Sequence, residues 1–146
     1  MKRIISLLLA LSLVFVFAAT TAMADEDAVK IGVILVHDEN TGYAYAHIQG
    51  IKEAAAAVGI ADDQIIWKYN ISEDENCYDT AMDLVEQGCN YVISDSYGHQ
   101  SYMQQAASEC PEAVFISMTG DTAALSGLTN FKNAFNDTYQ SRYVSG

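Results

Sequence analysis

Two tyrosines, Tyr43 and Tyr97, stand just past short β-prone runs, each with small polar residues and a glycine beside it. An aromatic ring in such a place can stack on a flat solute. Asn40 lies shortly before Tyr43, Asp95 and Ser96 immediately before Tyr97, and Thr119 heads a third segment of the same kind. All four offer hydrogen-bond donors or acceptors, and Gly42, Gly98 and Gly120 let a ligand approach the backbone. The chemistry this pattern supports is the holding of a neutral, ring-containing small molecule in a cleft with a few convergent polar groups. Taken singly, each residue has a plainer reading, the tyrosines as packing residues and the glycines as turn formers. Their recurrence at three successive strand ends favours a site.

Catalysis finds less support. The chain has no GxSxG elbow, no GxxxxGK(S/T) phosphate loop and no GxGxxG after its first strand. Asp38, Glu39 and Asp95 supply carboxylates, but loop acids in a chain with 19 acidic residues against 7 basic ones are ordinarily just solvated. No catalytic residue is therefore expected. His37, His47 and His99 are scattered and there is no CxxC spacing, so neither a metal site nor a cofactor is expected.

The elements that must position these residues follow from local pattern. Ile31 to Val36 is an apolar, β-branched run without helical period, which suits a strand buried on both faces. After a polar loop, Ala44, Ile48, Ile51, Ala55 and Val58 form the stripe of an amphipathic helix, with Gly59 as its C-cap. Gln64 to Tyr69 reads as the second strand. Ser72 to Glu75 has Ser-x-x-Glu capping-box spacing before a helix that turns Cys77, Ala81, Leu84 and Val85 inward and stops at Gly88. That double role in capping and in offsetting the helix dipole accounts for the acids of this run. Tyr91 to Ile93 is strand three, and Met103, Ala106, Ala107 and Cys110 line a third helix that ends at Pro111. Ala113 to Met118 is strand four, Asn130 to Phe135 a shorter fifth, and Thr138 to Gly146 the opening of another helix. Strands alternating with helices imply an α/β fold, a parallel sheet with helices on both faces. The loops 37–42, 94–99 and 119–121 then emerge on one edge, outside the carboxyl ends of the strands, where such sheets bind ligands.

Lys2, Arg3, the apolar run from Ile4 to Ala19 and the small residues of Ala22-Met23-Ala24 follow the plan of a secretory signal peptide. The run is shorter than the ~20 residues of a spanning helix. We expect a signal peptide over 1–24, a domain over 25–146, and an extracytoplasmic location without a lipoprotein cysteine. The formal net charge of −12 argues against nucleic acid and against an anionic membrane surface, and it serves solubility. Three cysteines in an exported chain permit one disulfide and leave one thiol over. Cys89 and Cys110, both just before strands on the edge opposite the loops, are the preferred pair.

The segments KIGVILVHDENTGYAYAHIQGIKEA, DLVEQGCNYVISDSYGHQSYMQQAASECPEAVFISMTG and NAFNDTYQSRYVSG carry a resemblance over nearly all of the chain after residue 24. It resembles the first lobe of the basic membrane protein (PnrA-like) family, substrate-binding proteins of ABC transporters that include purine-nucleoside receptors. The resemblance implies a type I, periplasmic-binding-protein-like clamshell that closes on a nucleoside and hands it to a membrane permease. It places Tyr43 where the family stacks an aromatic on the base, and Asn40 where many members carry an aspartate. Asp95-Ser96-Tyr97-Gly98 falls on the segment lining the cleft, and Thr119-Gly120 on the next strand end. Family members continue for another lobe, so the chain is expected to be truncated before it, to miss that lobe as a partner, and to bind weakly or not at all alone. The residues also admit other readings: a sugar or signalling molecule as ligand, a lobe that signals to a membrane protein, or a small exported α/β enzyme.

Overall fold

A computed structural model of the chain describes residues 28–135 and 143–145. The expected signal peptide and most of the expected last helix lie outside them. Five short strands, β1 (Ile31–Ile34), β2 (Ile65–Lys68), β3 (Tyr91–Ser94), β4 (Val114–Ser117) and β5 (Phe131–Asn133), form one parallel sheet in the order β2-β1-β3-β4-β5. Four helices connect or follow them: α1 (Gly42–Ala57), α2 (Glu75–Glu86), α3 (Gln100–Glu109) and the single turn α4 (Ala123–Ser126). The register aligns Lys68, Ile34, Ser94, Ser117 and Asn133 across the sheet, so all five strands end at one rim.

The expected α/β architecture is present, with apolar cores on both sheet faces. On one side α1 sets Ile48, Ile51 and Ala55 against Ile31, Val33, Leu35 and Ile65. On the other, Cys77, Ala81 and Leu84 of α2 and Met103, Ala106 and Ala107 of α3 cover Ile34, Val92, Phe115 and Phe131. β1 is buried at every position, as its unbroken apolar run requires. β3 and β4 instead alternate: Val92 and Phe115 are fully buried, while Ile93, Val114 and Ile116 on the α1 side are only partly so. The β3–β4 part of that face is therefore thinly covered. Among the described residues no helix is long and apolar enough to cross a membrane.

Local chemistry explains where the helices start and stop, with two departures from expectation. Thr41 caps α1 by accepting from the Ala44 amide at 3.3 Å, and Gly59 and Gly88 leave α1 and α2 through positive φ. Val58, expected on the inward stripe, is 73% exposed because the chain leaves helical backbone there. The cap of α2 is Asp74 rather than Ser72: its carboxylate accepts from the Asn76 amide at 3.0 Å and from the Ser72 hydroxyl at 2.7 Å. A carboxylate two residues closer to the helix satisfies the orphan amide directly, which leaves Glu73 free to face elsewhere.

The Cys89–Cys110 disulfide is not formed, and all three cysteines are buried free thiols. The Cys110 thiol lies against Met82 Sδ at 3.7 Å, and Cys89 is fixed under the end of α2, its amide donating to the Leu84 carbonyl at 3.0 Å. Both fill the α2–α3 core as small apolar groups, and burial raises both thiols above their ordinary pKa.

Candidate functional site

The strand order reverses between β1 and β3, the point at which open α/β sheets leave a crevice at the carboxyl rim. Asp95, the first residue past β3, ties the loops around that crevice together. Its backbone carbonyl accepts from the Tyr43 hydroxyl at 2.5 Å and from the Thr119 hydroxyl at 2.9 Å. Its carboxylate Oδ1 accepts from the Val36 amide at 2.9 Å, just past β1. One residue thus joins the segments after β1, β3 and β4. Burial raises the Asp95 carboxyl above the ordinary carboxylate pKa, with the Val36 amide pulling the other way.

A pocket of about 470 Å³ opens above this knot, lined by Val36, His37, Tyr43, Glu73, Ser96, Tyr97, Thr119 and Phe135. Four of the nine residues singled out from sequence, Tyr43, Ser96, Tyr97 and Thr119, are brought together on its wall. The other five, Asn40, Gly42, Asp95, Gly98 and Gly120, are not on it. Asn40 is exposed, its amide donating to Asp38 Oδ1 at 3.0 Å, and Gly42 opens α1. Asp95 sits beneath the pocket at 1% exposure, a positioning residue by its contacts.

Gly98 is required by a neighbour. A Cβ there would lie 2.5 Å from Glu73 Cδ. Glu73 reaches across from the segment after β2, where its Oε1 accepts from the Ser96 hydroxyl and from the Gly98 amide at 3.2 Å. The Ser96 hydrogen bond, supported by the Gly98 amide, holds this carboxyl below its ordinary pKa. The third segment has its own anchor. Buried Gln100 accepts through Oε1 from the amides of Asp121 at 3.0 Å and Thr122 at 3.3 Å, and from the Thr122 hydroxyl at 3.1 Å.

The two rings differ in their freedom. Tyr43 is fixed by its hydroxyl and by an edge contact to His47 at 4.7 Å between centroids, yet stays 45% exposed. Tyr97 is 57% exposed and reaches Asp121 Oδ1 at 3.3 Å. Both present ring surface to solvent at the rim. Among the described residues no group of three or more His, Cys, Asp or Glu side chains is placed to hold a metal ion.

Val36, His37, Glu73 and Phe135 belong to the pocket and were not on the sequence-derived roster. The signal for two of them was present: Glu73 and Phe135 follow β2 and β5, and those strands end at the same rim as the other three. Capping-box spacing drew Glu73 into a different role.

Similarity to known proteins enters through structure. An ABC-transporter solute-binding protein from Conexibacter woesei superposes with a TM-score of 0.67 at 19% identity, over 80% of this chain and 38% of that one. A periplasmic binding protein from Burkholderia mallei gives a TM-score of 0.55 at 20% identity, over 72% and 31%. A transcriptional activator of the comK gene from Bacillus halodurans gives 0.56 at 13% identity, over 71% and 33%. What is shared is the fold. The chain spans about a third of the length of these solved structures, the portion of a single lobe. No protein-family profile and no curated protein matches the sequence.

Proposed function

We propose that this chain is a ligand-holding lobe of an extracytoplasmic solute-binding protein that serves an ABC permease. Its proposed ligand is a flat, neutral ring compound, a purine nucleoside of the kind the basic membrane protein (PnrA-like) resemblance implies. The observation that carries the reading is the convergence of Tyr43, Tyr97 and Thr119, from segments after three different strands, on one pocket. Two solved structures of the same fold are described as solute-binding or periplasmic binding proteins, which supports the coarse role. The proposed action is binding without turnover.

A thermal-shift series with purine nucleosides, free bases and monosaccharides tests it, because a ligand that binds only the native state raises the melting temperature. Purine nucleosides should give the largest shift, and Tyr97→Ala should abolish it. A larger shift with monosaccharides would replace the nucleoside by a sugar, and conversion of a nucleoside to a new product during incubation would move the chain to the enzymes. The fold also serves a transcriptional activator in Bacillus halodurans, so a sensing lobe is the second reading. Binding that persists without any effect on uptake in the source cell would favour it.

A further inference from the structure

We infer that Glu73 selects the solute: its free carboxylate oxygen takes a hydrogen-bond donor from a neutral or cationic ring compound, and its charge keeps anions out of the pocket. The inference rests on the solute-binding reading above and gives that site its ligand class.

Glu73 stands on the pocket wall with Tyr43, Tyr97 and Phe135. Its Oε1 is occupied by the Ser96 hydroxyl and the Gly98 amide, while Oε2 has no hydrogen bond among the described residues. One oxygen is thus anchored and the other is left to an exposed side chain on a wall it shares with three aromatic residues, an arrangement suited to a hydroxyl or ring N–H of a flat solute. The surroundings offer little to an anion. The cations among the described residues are Lys30, Lys52, Lys68 and Lys132, and none lines the pocket. Lys30 donates to the Gln87 carbonyl at 2.8 Å, Lys68 pairs with Asp83 at 2.8 Å, and Lys52 lies over Trp67. His37 is the basic side chain on the wall, and its attraction adds slightly to what holds the Glu73 carboxyl charged. Asp121 adds a further acidic group at the Tyr97 hydroxyl.

The test compares adenosine with adenosine 5′-monophosphate on the chain and on Glu73→Gln, by amide NMR titration to millimolar ligand so that weak binding is read. Gln keeps an oxygen for Ser96 and Gly98, removes the charge and replaces the solute-facing acceptor by an NH2 donor, so adenosine itself should also weaken. Adenosine should shift the Ser96 and Gly98 amides, with the monophosphate at least roughly tenfold weaker, and E73Q should bring the two within about threefold. Raising the salt to about 0.5 M should narrow the gap on the natural chain, since screening weakens charge exclusion but not steric exclusion. This arm stands even if E73Q fails to fold. Equal affinity for both ligands, or a gap unmoved by salt and by E73Q, overturns the selectivity while leaving solute binding intact. If neither ligand moves the rim amides, the solute-binding reading itself fails.

Discussion

Asp95 is the residue on which the rim depends, and its two carboxylate oxygens are unequal. Oδ1 accepts the Val36 amide, whereas Oδ2 is buried without a hydrogen-bond partner among the described residues. Burial raises its folded pKa, so the unfolded chain gives up this proton first. Its contribution to stability is therefore greatest below the ordinary carboxylate pKa, and is lost as pH rises from there through the raised folded value. Asp95→Asn cannot ionise and keeps an oxygen for Val36. Urea denaturation over a pH series should show the variant gaining on the natural chain across that window, then holding a constant lead. A difference independent of pH would mean that the carboxyl titrates alike in the folded and unfolded chains. Tyr43→Phe removes one of two donors to the Asp95 carbonyl and should cost about 0.5–1.5 kcal/mol, measured by the same method.

At the scale of the element, α2 does two jobs through one sequence. Its inner face packs Leu84, fully buried, against the sheet, and Leu84→Ala should destabilise by about 2–5 kcal/mol in denaturant unfolding. The segment leading into it carries Glu73 to the loop after β3, where Gly98 makes room for the carboxylate. Gly98→Ala should displace Glu73 and with it Ser96 and Tyr97. The expected outcome is loss of ligand-induced NMR shifts at the rim with the core resonances unchanged, and retained binding would show that the clamp is dispensable. The capping pattern of this helix was readable from the sequence to within two residues. The choice between Ser72 and Asp74 as cap was not, because both offer an oxygen at suitable spacing and only the backbone path decides which one meets the Asn76 amide.

For the molecule as a whole, an acidic exterior coexists with an incompletely covered sheet face. Two shallow apolar grooves of about 360 and 400 Å³ lie beside α1, lined by residues that include Val58, Ile60, Tyr91, Ile93 and Met118. Apolar surface of this kind binds hydrophobic dyes. The folded chain should therefore enhance the fluorescence of anilinonaphthalene sulfonate, and Val58→Lys, at a position 73% exposed, should reduce it without a cost in stability. An unchanged signal in that variant would place the dye elsewhere.

Taken alone, the sequence determined the elements, because their causes are local. The apolar run of β1, the three- and four-residue spacing of α1, the glycines after α1 and α2 and the proline after α3 act over a few residues. It also determined that three loops share one rim, since alternating strands and helices admit essentially one hand of crossover. Tertiary structure decided the strand order, the thiols that stay apart, and the inward-facing members of the rim. Tyr43 meets Asp95 across 52 positions and Ser96 meets Glu73 across 23. Contacts at such separations are set by how helices seat on the sheet, a property of packed volumes that no short window of residues contains.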